Sequence, residues 1–201
     1  MTRAATATIS RAAVAHNLAR VRALAPGRPI YAVVKADAYG HGLEPLLETL
    51  ASAGADAFAV ACLEEADRIR AAGIKRPILL LEGWADHDEL VVAKRLALDA
   101  AVHCEEQLQD ALVTGTEGLR AIWLKLDSGM HRIGLGPDAV ASAWSQLRAR
   151  VEPLGLMSHF ACADDRADNF TTVQLRAVQA VAKNVGAARL STHNSAAILN
   201  H

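Results

Sequence analysis

One rhythm constrains this chain more than any other feature: short runs of Val, Ile, Leu and Ala alternate with amphipathic stretches from one end to the other. Continuous apolar runs mark strands buried on both faces, and crossover helices are what cover both faces of a parallel sheet. Candidate strands fall at IYAVVKA (30–36), AFAVA (57–61), PILLLEG (77–83), LDAAVH (98–103), AIWLKLD (121–127), LGLMSHFA (154–161) and ARLST (188–192). The stretches between them repeat apolar residues every three or four positions. EEADRIRAAG (64–73) turns Ala66 and Ile69 inward and stops at Gly73. EEQLQDALVTG (105–115) puts Leu108, Ala111 and Leu112 on one face before Gly115. A first helix precedes the sheet, with Ser10 as N-cap, Val14, Leu18 and Val21 on one face, and Pro26 beyond its end.

The pattern predicts an α/β protein, and both a doubly wound sheet and a (β/α)8 TIM-type barrel satisfy it. The barrel is favoured because no GxGxxG follows the first strand, so the dinucleotide fingerprint is missing. Polar, reactive residue types also recur at the C-terminal ends of different strands: Lys35, Glu82, His103, Lys125, His159 and Asn194. A barrel assembles its active site from that rim. About seven strands are counted, one fewer than an eight-stranded barrel needs to close.

Composition agrees with one folded domain of 201 residues: 52% apolar, 21% charged, and only 4% aromatic, so Ala, Val, Leu and Ile must build the core. A net charge of -1, from 21 basic and 22 acidic residues mixed along the chain, leaves no electrostatic footprint for nucleic acid. MTRAATATIS lacks an apolar signal core, and no run reaches the ~20 residues of a membrane span. A soluble, cytoplasmic protein is expected. Cys62, Cys104 and Cys162 are odd in number and widely spaced, without a CxxC pair, and are expected to be small buried thiols rather than a disulfide or zinc framework.

Four clusters carry the chemistry. Lys35 ends a buried run and precedes the polar turn ADAYGHG, where Gly40 and Gly42 permit close backbone approach and Asp37 and Tyr39 add polar groups. It is either a snorkelling lysine or a partly desolvated amine poised to attack a carbonyl. In WLKLDSGMHRIG (123–134), Lys125 again sits inside an apolar strand and Arg132 follows in a Gly-containing turn. Two cationic lysines at equivalent strand ends repel, so at least one is expected to be neutral or modified, unless Lys125 pairs with Asp127. The fork of Arg132 suits a carboxylate or phenolate, or is simply solvated. His159 in LMSHFACADD is a core histidine or a ring-packing group. Asn194 and Ser195 follow the last strand and open a helix, as an ordinary N-cap or a phosphate site.

AVVKADAYGHG closely resembles the pyridoxal phosphate (PLP)-lysine motif of the alanine racemases. WLKLDSGMHRIG, LMSHFACADD and HNSAAIL resemble three further motifs of that family in the same order, and FAVACLEEADRIRAAGIKRPILLLEG resembles the stretch after the first. The resemblance covers essentially the whole chain. It implies a PLP-dependent isomerase interconverting L- and D-alanine, for cell-wall peptidoglycan or alanine catabolism, in a homodimer. By that resemblance Lys35 carries the cofactor and serves as one of two acid/base groups, and Arg132 meets the cofactor's phenolic oxygen and the substrate carboxylate. Tyr39 and Ser195 bind the phosphate, Asn194 shapes that end of the site, and His159 packs near the pyridine ring. Lys125 corresponds to a lysine that is often carbamylated.

Family members continue beyond the point matching His201 with a last barrel strand and a β-rich domain. They gain there an arginine facing the pyridine nitrogen and a tyrosine base that acts from the other subunit. The expectation is thus a barrel over residues 1–201 truncated before its last strand, without the C-terminal β domain, and inactive alone because inversion needs a base on each face. A PLP-binding module without turnover, a broader amino-acid racemase and a non-functional truncation product stay open. An in-frame continuation of the gene separates the last of these from a piece of a complete racemase.

Overall fold

The structure, a computed structural model, describes residues 6–201. In chain order the elements are α1 (Arg11–Leu24), β1 (Tyr31–Val33), the single turn α2 (Lys35–Gly40), α3 (Leu43–Ser52), β2 (Ala57–Val60), α4 (Leu63–Ala71), β3 (Ile78–Leu80) and α5 (His87–Arg95). There follow β4 (Asp99–Val102), α6 (Glu105–Thr114), β5 (Ala121–Lys125), α7 (Pro137–Leu147), β6 (Leu154–Met157), α8 (Phe170–Val185), β7 (Leu190–Ser191) and α9 (Ser195–Asn200). Each sequence-predicted strand contains one of these strands. All neighbours pair in parallel, in the order β1-β2-β3-β4-β5-β6-β7. That order never reverses, so the sheet has no topological switch point and the doubly wound alternative falls away. The sheet is instead a curled, seven-stranded partial (β/α)8 barrel, and α1 packs against α9 where its two ends approach. Among the described residues β1 and β7 are its free edges, and Val33 (40% exposed) and Leu190 (46%) stand open there.

Alternation along the strands splits the core in two. Phe58, Ile78, Leu80, Ile122, Leu124 and Leu156 face outward beneath helix residues such as Leu43, Ile69, Leu90, Leu108, Val140 and Val178. Their neighbours Ala59, Leu79, Ala101, Trp123 and Met157 fill the interior. Full burial of each large side chain contributes about 1.5–3 kcal/mol, and both layers are present because the strands are apolar throughout. Trp123 fits because its register partner is Gly155, where a Cβ would come within 2.5 Å of the indole ring. At the N-terminal floor, the fully buried Asp99 accepts from the Tyr31 hydroxyl (3.1 Å) and from Arg120 Nε (3.0 Å). Burial, then the Asp99 charge, pushes the Tyr31 phenol up to about 12.

Two local features differ from expectation. The turn after β1 is left-handed: Ala36, Asp37, Ala38 and Tyr39 all have φ between 52° and 56°, ahead of Gly40 at 77°. Gly40 and Gly42 are the residues expected to make the tight turn, yet four L-residues share it at a cost of roughly 1–2 kcal/mol each. The cysteines are not buried packing residues. Cys62 is exposed, Cys104 and Cys162 are half-buried, and the first two are the N-caps of α4 and α6.

A repeated brace ties strand ends to the helices that follow. Glu65, Glu89 and Gln107, each three residues after its helix N-cap, reach back to the backbone N–H of Ala61 (2.9 Å), Ala85 (2.7 Å) and His103 (2.9 Å). These bonds satisfy N–H groups that a helix start otherwise leaves without partners.

Candidate active site

Lys35 immediately precedes the left-handed turn and is half-buried. Asp37, expected to add a polar group beside the amine, is committed elsewhere: its Oδ1 accepts from the N–H of Leu43 (3.0 Å) and from Arg68 (2.7 Å). The Arg68 guanidinium, then the Leu43 N–H, hold its carboxyl below the usual range. Asp37 is therefore a brace of the turn.

Lys125 ends β5 beside Met157 and is only 6% exposed. Among the described residues it makes no ion pair, because the nearby carboxylate is already spent. Asp127 Oδ1 accepts from the N–H groups of Gly129 (2.9 Å) and His131 (3.0 Å), and its Oδ2 lies 3.0 Å from His131 Nδ1. The expected alternative of a Lys125–Asp127 pair is not what forms; Asp127 folds the loop that carries Arg132. Burial first, then the charges of Arg132 and Lys35, push the Lys125 amine down to about 8. Glu82 and Asp127 oppose this only in part. His159, half-buried one residue past Ser158 on β6's exit, is pushed down to about 4 by burial and then by Lys125, Arg132 and Lys35. At neutral pH its imidazole is uncharged.

The charges of Lys35 and Arg132 thus reach Lys125 and His159 at the C-terminal rim, and a small cleft between β5 and β6 is lined by Lys125, Arg132 and His159. His103 does not join them: its Nε2 lies 3.0 Å from the Glu82 carbonyl, facing a separate cavity of about 690 Å³ over the β2, β3 and β4 loops. Tyr39 is 59% exposed, Ser195 is exposed, and neither side chain has a hydrogen-bond partner among the described residues. Asn194 is the N-cap of α9: its Oδ1 accepts from Ala197 N–H (2.9 Å) and its Nδ2 donates to the Phe160 carbonyl (3.3 Å). Its side chain fixes where the Ser195 turn begins. His41, His131 and His193 are structural, bonded to the Ala38 carbonyl, held by Asp127, and packed edge-on against Phe160.

Sequence reasoning missed the residues that hold this rim together. Gln174 of α8 is fully buried, accepts from Ala161 N–H (2.9 Å), and donates to the His159 carbonyl (3.1 Å) and Ser128 Oγ (3.2 Å). Ser158 Oγ donates to the Leu126 carbonyl (2.8 Å) and lies 2.7 Å from Ser128 Oγ. A glutamine on the inward stripe with Val178 and Val181 was the available signal, since a buried amide demands partners. Chemically, the rim offers amines and a guanidinium beside a neutral imidazole. That donor set suits an anionic aldehyde, with one amine to capture the carbonyl and fixed cations for acidic oxygens.

A family model described as "Alanine racemase, N-terminal domain" matches residues 9–201. The alanine racemase of Polaromonas sp. (strain JS666) is 43% identical over 203 residues, covering 100% of this chain and 54% of the relative. The chain spans about half the length of the curated relatives it matches. Among solved structures, alanine racemase from Acinetobacter baumannii superposes with a TM-score of 0.89 at 33% identity, over 95% of this chain and 57% of that one. A histidine racemase from Leuconostoc mesenteroides subsp. sake superposes with a TM-score of 0.82 at 28% identity, over 94% of this chain and 53% of that one.

Proposed function

The chain belongs to the alanine racemase family, through its N-terminal domain, and on that premise we propose that residues 1–201 form the cofactor-holding barrel of a PLP-dependent enzyme interconverting L- and D-alanine. The observation that carries this reading is the gathering of Lys35, Lys125 and Arg132 at one rim, where burial first and then the charges of Arg132 and Lys35 bring Lys125 down to about 8 beside an uncharged His159. Surplus cationic charge of that kind, on a surface with an accessible amine, is what an anionic aldehyde neutralises. When bound, PLP supplies an electron sink for the carbanion at the substrate α-carbon.

The chain's residues then divide the work. Lys35 would hold the aldehyde through its amine and, once displaced by the substrate's amine, would take or return the α-proton on its own face of the substrate. Arg132 receives the phenolic oxygen and the substrate carboxylate. His159, without a proton to add, packs the ring without adding positive charge. Tyr39 and Ser195, whose hydroxyls have no hydrogen-bond partner among the described residues, would hold the phosphate, and Asn194 sets the backbone from which Ser195 projects. Lys125, with an uncharged fraction of roughly a tenth at pH 7, would take up carbon dioxide with release of a proton, and the resulting carbamate would orient Arg132. Inversion requires a second base on the opposite face, which we assign to the other subunit of a homodimer. The Leuconostoc histidine racemase supports a second reading, a racemase with a wider amino-acid range.

The test is solvent exchange. The chain is incubated with PLP and either enantiomer of alanine in D2O. Lys35-dependent deuteration at the α-carbon of one enantiomer is expected, faster than for histidine. Exchange that is unchanged in Lys35→Ala refutes the assignment of Lys35; exchange that is faster for histidine favours the wider racemase.

A further inference from the structure

We propose that Glu65 is a positioning residue: its carboxylate locks the left-handed turn that presents the Lys35 amine at the rim. The inference deepens the functional reading above and rests on it for the role of Lys35. Glu65 lies on α4, whereas Lys35 follows β1. One carboxylate oxygen accepts from Ala36 N–H at 2.5 Å and the other from Ala61 N–H at 2.9 Å. The Ala36 N–H belongs to the peptide that joins Lys35 to the turn, so this bond fixes the plane from which the lysine side chain departs. The following residues, Ala36 to Tyr39, occupy a conformation that L-residues avoid, and local preference alone returns them to the right-handed or extended region.

A brace at the equivalent place one strand pair further on shows why the residue type matters. Gln107 accepts from His103 N–H through Oε1, and its amide nitrogen donates to the carbonyls of Glu82 (2.8 Å) and Trp84 (2.9 Å). There the neighbouring loop offers carbonyls and the brace needs a donor. At position 65 the neighbouring turn offers an N–H, and only a carboxylate can accept on both sides. Asp37 cannot take over, since its oxygen is shared between Leu43 N–H and Arg68. A glutamine at 65 would fit sterically yet turn an NH2 group toward one of the two N–H groups.

The experiment compares the unaltered chain with Glu65→Gln and Glu65→Ala. Amide hydrogen exchange at Ala36 and Ala61 is read without PLP. The PLP concentration giving half-maximal borohydride-stable labelling of Lys35, and the absorbance maximum of the bound cofactor, are read with it. Glu65→Gln is expected to keep Ala61 protected, to speed exchange at Ala36 by about tenfold, and to raise the half-maximal PLP concentration by about tenfold with a shifted absorbance maximum. Glu65→Ala loses protection at both amides, and if it fails to fold the glutamine variant decides. Exchange at Ala36 and PLP dependence both unchanged in Glu65→Gln overturn the proposal. Absence of Lys35 labelling in the unaltered chain overturns the functional reading instead, while the exchange at Ala36 still decides whether Glu65 locks the turn.

Discussion

Replacing Lys125 with methionine is expected to stabilise the protein near neutral pH, an unusual outcome for a buried site. Methionine keeps the length and volume of the side chain and removes the charge. The Lys125 amine falls from 10.5 to about 8 in the folded chain, and at ~1.4 kcal/mol per tenfold change that is about 3 kcal/mol spent in carrying the proton. Because the folded-state value lies below the unfolded one, the unfolded chain binds the extra proton between about pH 8 and 10.5, and stability rises with pH through that window. Below about 8 both states are protonated and the cost is borne in full; above 10.5 neither is, and it disappears. Lys125→Met should therefore be more stable than the unaltered chain by about 2–3 kcal/mol at pH 7, with the difference closing by pH 10.5. Urea unfolding of both chains across pH 7–11, in buffer freed of carbon dioxide so that the amine stays unmodified, reads the difference directly and cancels groups common to both. Equal stabilities at pH 7, or a less stable methionine variant, would refute the electrostatic account of this rim.

Ala36→Gly is expected to stabilise the chain by about 0.5–1 kcal/mol, since glycine accepts the left-handed geometry that alanine resists, whereas Ala71→Gly in right-handed α4 should cost about as much; a pair of denaturation curves checks both signs. Lys125→Ala should slow α-deuteration of alanine, with partial recovery on adding a small carboxylic acid in place of the carbamate. Unimpaired exchange would count against that role. Residues 1–201 on their own are expected to self-associate through the open β1 and β7 edges and to invert no alanine. Light scattering with a chiral assay tests both, and a monomer that racemises alanine would contradict the edge argument and the need for a second base.

Much of the barrel was legible because burial on both faces leaves a plain mark: runs such as Phe58–Val60 and Ile122–Leu124 are apolar at every position, and each became a strand. The caps at Ser10 and Asn194 were equally local signals, each side chain accepting from an N–H three residues on. The left-handed turn was not legible, since Ala-Asp-Ala-Tyr carries no preference for positive φ and the constraint comes from Glu65, 29 residues away. A Lys125–Asp127 pair, one alternative the sequence leaves open, does not form. Two positions apart they would share a face of a continued strand, but β5 ends at Lys125 and the loop's own N–H groups reach the carboxylate first. Charge conflict between the two lysines, by contrast, could be argued from topology alone, and it adds to burial and to the Arg132 charge in depressing the Lys125 amine.

On the proposed function Lys35, and no other lysine, would carry the cofactor. Reducing the PLP-loaded chain with borohydride and mapping its peptides should place the pyridoxyl group on the peptide containing Lys35. A label on Lys125, whose depressed pKa makes it the chemically competitive amine at the same rim, would contradict the account.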